Sequence, residues 1–142
     1  MGIGSYILDD QGNPVIEANL DKWARWFERL ENRVLRSDHV GEVHVSTVFL
    51  GVDHSFSSAP KPILWETMIF GGHYDQRQWR YDSREAAEKG HRKALKLVTD
   101  RAKKISEAVR VIETAAKRVG IEDPHVVVVD PREKKDRKVR PK

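Results

Sequence analysis

The sequence predicts an α+β fold: a small antiparallel sheet with a central hairpin, packed against two helices of which the second is long and amphipathic. Two runs rich in β-branched and aromatic residues, Glu42 to Val52 and Ile63 to Phe70, supply the hairpin. Apolar residues at helical spacing near 19–35, and again from Ser83 onward, supply the helices. With 142 residues the chain fits one α+β domain over 1–130 and a basic, flexible C-terminal tail over 131–142.

Taken in order, Ser5 to Leu8 and Val15–Ile16 flank the turn residues Asp10-Gln11-Gly12-Asn13-Pro14, which predicts a strand, a turn and a short return strand. Asn19 is placed to cap a helix whose apolar face carries Leu20, Trp23, Ala24, Phe27, Leu30 and Val34. Trp26 falls off that stripe among Arg25, Arg29 and Arg33, and is a candidate partner-binding anchor, since tryptophan and arginine are enriched at binding hot spots. The hairpin follows as Val43–Val52 and Ile63–Phe70, with Gly71-Gly72 as a bulge or turn and a third strand at Gln78–Tyr81. Asp82 and Glu85 are spaced as a capping box for the second helix. Its apolar series runs Ala87, His91, Ala94, Val98, Ala102, Ile105, Val109, Ile112, Ala116, Val119 and stops at Gly120. A helix of that length either breaks near Thr99-Asp100 or projects beyond the sheet, and a second copy of the chain is the expected cover, hence a homodimer. The run HVVVVD, His125 to Asp130, reads as a small strand able to join a sheet edge within the chain or across a dimer.

Hydrophobic residues make up 39% and charged residues 34%, enough to bury a core and keep it solvated. The absence of cysteine excludes disulfides, thiolate zinc sites and a cysteine nucleophile. No secretory leader pattern and no membrane-length apolar run is found, so a cytoplasmic location is expected. Charge is unevenly placed. Residues 84–118 carry 11 basic and 5 acidic groups, residues 119–130 carry 3 acidic and no basic ones, and residues 131–142 carry 7 basic and 2 acidic ones. Arg101, Lys103 and Lys104 on the helix, with Lys134, Lys135, Arg137 and Lys138 in the tail, are therefore candidates for electrostatic nucleic-acid binding.

The strings ILDDQGNPV, DKWARWFE, VSTVFLGVDHSF, LWETMIFGG and RYDSREAAEKGH occur in that order over roughly residues 5–95. In this the chain resembles a family of small uncharacterised proteins encoded in bacteriophage and prophage genomes. It departs from the family pattern at Ser57-Ser58, where glycines are frequent, and in its extension beyond about Val98. The resemblance implies a phage-borne gene acting inside a host bacterial cell, and it carries over no catalytic residues.

For chemistry, Asp53, His54, Glu66 and His91 are the candidate acid–base groups, and His54, His73 and His91 the candidate metal ligands, with Asp75 near the last of the sheet residues. A hairpin with its tip at Ser57 to Ala59 puts Asp53 and His54 across from Trp65 and Glu66. The histidines fall in none of the patterns HExxH, HxxxH or HxH, and no phosphate loop, nucleophile elbow or dinucleotide fingerprint is present, so no cofactor is expected. Ser46, Thr47 and Ser55 have no base partner in sequence. The leading expectation is a non-enzymatic phage accessory protein that binds a host or phage macromolecule, a host defence component among them. A small metal-dependent hydrolase and an electrostatic nucleic-acid-binding protein are the alternatives.

Overall fold

The computed structural model describes residues 4–55 and 60–129. Over these the chain forms β1 (Tyr6–Leu8), β2 (Pro14–Ile16), α1 (Leu20–Glu28), α2 (Leu30–Arg33), β3 (Val34–Val40), β4 (Val43–Phe49), β5 (Trp65–Phe70), β6 (Gln78–Tyr81) and α3 (Arg84–Arg118). Strands β1 and β2 pair as a separate ribbon, and β3 to β6 make an antiparallel sheet in sequence order. The α+β class and the central hairpin are as the sequence predicts.

Local chemistry explains the first elements. The Asp9 carboxylate accepts the Gln11 and Asn13 amides at 2.9 and 2.8 Å and so folds the β1–β2 turn. The Asn19 side chain accepts the Lys22 amide at 3.0 Å and starts α1. Trp23 stacks on Phe27 with centroids 4.8 Å apart, and its indole N–H is shared between the Tyr6 and Gly51 carbonyls, both at 3.1 Å. Gly51 is fixed by that packing: its φ is +73°, and a Cβ there would lie 2.9 Å from the Phe27 ring.

The helix expected over 19–35 is shorter. Arg29 is extended (φ −82°, ψ 107°), α2 is a single turn, and Val34 begins a strand that pairs with β4 across the turn at Gly41. Leu20 and Leu30 stay largely exposed, so the apolar face of α1 is narrower than the spacing suggested. Strand β3 lies at the sheet edge and reads polar, as LRSDHV, which hid it. Trp26, the candidate anchor, is partly exposed; it meets the buried Phe49 edge-on at 5.7 Å and packs against the core. Phe70, by contrast, is 44% exposed on the far face of the sheet.

Strand alternation sends Val45, Thr47 and Phe49 of β4, with Trp65, Thr67 and Ile69 of β5, to one fully buried face. Helix α3 lies over that face and buries Ala87, His91, Ala94 and Val98. Its N-cap is Ser83, whose hydroxyl accepts the Ala86 amide at 3.1 Å; Asp82 stands one residue too early. The helix runs unbroken through Thr99-Asp100, but its last buried position is Val98. Ala102 and Ile105 are half-buried beside Val40, Val43 and Tyr74, and beyond them the helix projects from the sheet. Gly120 (φ +89°) ends it, with the Ile121 amide turning back onto the Ala116 carbonyl at 3.0 Å. Residues 125–129, expected as a strand, form no regular structure; Asp130 and the tail lie outside the described residues. Among the described residues no helix is long and apolar enough to cross a membrane.

Gly90 is where α3 comes closest to the sheet: a Cβ there would stand 2.0 Å from the Tyr81 hydroxyl oxygen and 2.2 Å from the ring carbon bearing it. Alanine in place of a helical glycine ordinarily stabilises by up to about 1 kcal/mol. Here the sign reverses, because the ring is held and must be displaced. Gly90→Ala is expected to lower stability by roughly 1–3 kcal/mol in urea unfolding, and a gain in stability would show that Tyr81 moves aside freely.

Candidate functional site

The most connected polar cluster lies between α3 and the sheet, with Thr47, Thr67 and His91 buried and the Asp38 side chain 47% exposed. His91 Nε2 lies 2.8 Å from Asp38 Oδ2, His91 Nδ1 lies 2.8 Å from Thr47 Oγ1, and Thr47 Oγ1 lies 2.5 Å from Thr67 Oγ1. A Thr67 hydrogen bond continues the line to the Tyr81 phenol. Asp38 sits on β3, Thr47 on β4, Thr67 on β5, Tyr81 on β6 and His91 on α3, so the line takes one residue from every strand of the sheet and one from the helix. A carboxylate only accepts, so with His91 neutral the ring donates through Nε2 and accepts through Nδ1. Thr47 then donates to His91 and Thr67 to Thr47. Burial pushes the Tyr81 phenol above its ordinary value, against the Thr67 bond, so it stays protonated at neutral pH. An Asp–His–Thr order looks like that of a nucleophilic triad, but Thr47 and Thr67 have no exposed surface and no substrate reaches them. The cluster is a structural seam.

The proposed acid–base residues do not share a site. His91 belongs to the buried face, whereas Glu66 follows the opposite alternation, opposes Val48 rather than Asp53, and binds Arg80 Nε at 2.8 Å on the uncovered face. Asp53 and His54 lie beside Ile63: the Ile63 amide donates to the Asp53 carboxylate at 2.8 Å and the His54 amide to the Ile63 carbonyl at 2.9 Å. The connection is not a symmetric turn, which is why counting from its middle misplaced the pair. Asp53 also accepts the Ser55 amide and hydroxyl, each at 2.8 Å. Burial pushes its carboxyl up, but the Ser55 and Ile63 hydrogen bonds outweigh this and hold it below its ordinary value. The His54 side chain is exposed; Phe56 lies outside the described residues. His73 stands edge-on to Tyr74 at 4.9 Å near Gly71-Gly72, and Asp75 accepts the Gly71 amide at 2.7 Å. Among the described residues, no three histidine, aspartate or glutamate side chains are placed to hold a metal ion.

The uncovered face carries a group that sequence reading missed. His39 stacks on His44 at 4.3 Å, His44 on Phe70 at 5.7 Å, and Ser37 Oγ lies 2.8 Å from His44 Nε2. His39 and His44 are equidistant from the Gly41 turn, so the pairing was visible in HVGEVH once residues 34–40 are read as a strand.

The other feature is the far half of α3, half-buried at Ala102, Ile105, Val109 and Ala116 and exposed at Ile112 and Val119. Its apolar positions Ala102, Ile105, Val109, Ile112, Ala116 and Val119 continue, in steps of three and four, the series Ala87, His91, Ala94, Val98 that seals the sheet. From Val98 to Val119 this is a heptad repeat, the pattern that seats one helix against another. Ile112 is 51% and Val119 78% exposed. Lys103 and Lys104 are exposed, and the Arg101 guanidinium lies 5.9 Å from the Tyr74 ring centroid. Lys134, Lys135, Arg137 and Lys138 lie outside the described residues.

Two substitution sets test these roles. Thr47→Val should orphan the Thr67 hydroxyl and His91 Nδ1 at a cost of roughly 1–3 kcal/mol for each group left unpaired; a change under about 0.5 kcal/mol would disprove the seam. Asp53→Ala should cost roughly 1–3 kcal/mol through its lost hydrogen bonds, while His54→Ala stays within about 0.5 kcal/mol. The Asp53 contribution is complete above the ordinary carboxyl value of 3.8 and fades as pH falls through the lower folded value, so melting temperatures of the chain and of Asp53→Ala should converge only in acid. Compared with known proteins, the chain matches no family model, no curated protein and no solved structure.

Proposed function

We propose that the chain is a phage accessory protein that acts by binding a host or phage protein through the projecting half of α3. The observation that carries this reading is the apolar stripe that outlasts the sheet: Val98 is the last buried position, yet heptad spacing continues from it to Val119. An apolar stripe on a charged helix, half-buried at Ala102, Ile105 and Val109 and exposed at Ile112 and Val119, marks a surface able to take a partner. The buried seam supports the same reading, because its hydroxyls and imidazole are fully committed to joining helix and sheet.

The test is affinity capture from bacterial lysate with the chain and with Ile112→Glu/Val119→Glu, both verified by circular dichroism. Ile112 is 51% and Val119 78% exposed, so the variant should keep its melting temperature. Stoichiometric retention of a partner by the chain, lost in the variant, is the expected result. Identical retention by the two would place binding elsewhere.

A further inference from the structure

Two unmatched features sit at opposite ends of α3. At its start, a groove of about 540 Å³ opens between the helix and β6, walled by Trp79, Tyr81, Gly90 and Leu97, with Lys89 and Lys93 along it. Strand β6 pairs with β5 on one side, and among the described residues no strand pairs with its outer edge. After the end of α3, the run Val126–Val129 has strong strand propensity but joins no sheet; Val127 is 78% exposed. An open edge and an unplaced strand former are complementary.

The run cannot reach that edge in its own molecule. Ile121 is held at Ala116 by its amide. From Ala116 back to Gly90 the helix rises ~39 Å at about 1.5 Å per residue. Fully stretched, Ile121 to Val129 spans at most ~28 Å. The last valine therefore just reaches the near rim at Leu97, and the run cannot lie along the groove.

We infer that the protein seated on the projecting half of α3 is a second copy of this chain, lying antiparallel, and that each copy lays Val126–Val129 along β6 of the other. This rests on the reading of α3 as a docking surface and names its occupant. The stripe is suited to self-pairing: Ala102, Ile105, Val109, Ile112 and Ala116 are spaced almost symmetrically about Val109, so a reversed copy presents the same knobs to the same holes. Ala108 and Ala115 flank it with small side chains that let two helices approach closely.

Overlapping the two projecting halves about Val109 brings Arg118 of one copy beside Asp100 of the other. The run that follows then enters the groove at Leu97 and continues toward Gly90. Alternation turns two of its four valines into the apolar wall. Charge agrees as well. The run is bracketed by Glu122, Asp123 and Asp130, and the groove carries Lys89 and Lys93.

Because the chain has no cysteine, introduced ones report contacts without background. Sedimentation of the full chain should give a dimer, with Ile112→Glu shifting the dimer–monomer midpoint by roughly 30-fold or more in concentration. Lys93→Cys chains mixed with Val127→Cys chains should form a disulfide joining one of each on mild oxidation, and neither variant alone should cross-link. A monomer at about 100 μM overturns the inference. If Ile112→Glu nonetheless loses a lysate protein, the docking reading stands and only the second copy is wrong. A dimer in which Lys93→Cys and Val127→Cys fail to join overturns the strand exchange.

Discussion

The line of hydrogen bonds from Asp38 through His91, Thr47 and Thr67 to Tyr81 is the constraint on which the rest depends. It crosses the sheet from one edge strand to the other, and α3 enters it through a single imidazole. Thr47, Thr67 and His91 are buried, and there each group left unpaired costs more than its bond contributes, so these three form as a unit. Apolar packing alone would let a helix slide or roll over a flat face of Val45, Ile69 and Phe49. A histidine that must meet Thr47 with one nitrogen and Asp38 with the other admits one position and one rotation.

That fixed rotation carries outward. Since His91 lies in the same stripe as Ala87, Ala94 and Val98, orienting it also orients Ala102, Ile105, Val109 and Ile112 farther along. The contact at Gly90 sets the helix height, because only a residue without a side chain lets the backbone close on the Tyr81 ring. Height and rotation together leave a groove beside β6, where the small face of α3 at Ala86 and Gly90 cannot fill the space above Trp79. The groove is thus a by-product of how the seam and Gly90 seat the helix.

Much of this was legible in the sequence and some was not, for physical reasons. The β4–β5 hairpin, β6, the β1–β2 ribbon and the length of α3 follow from period and propensity, which are local signals. Strand β3 did not, because an edge strand covered on one side needs few apolar residues, and LRSDHV offers little alternation to detect. His91 was recognised as a residue on an apolar helix face, but its partners Asp38 and Thr47 are 53 and 44 positions away and only topology joins them. Thr47 looked like a hydroxyl without a base for the same reason. The pairing of His54 with Glu66 failed because Asp53 gathers Ser55 and Ile63 into an asymmetric connection that turn counting does not foresee.

The seam also explains how the far half of α3 can be helical before anything covers it. An isolated helix of that length is marginal in water, since the first turn must be nucleated at a large entropic cost. Here the docked half, held by Ser83 at its cap and His91 within it, is already nucleated, so each residue beyond Val98 only propagates an existing helix. The β-branched Val109, Val111 and Ile112 propagate less well than alanine, and Gly120 ends the run. Helicity in that half is therefore strongest near the sheet and weakens toward Arg118, unless the stripe is covered. A docked helix would stabilise the weaker end most, and ordering of the arm and burial of its apolar face would be a single coupled step.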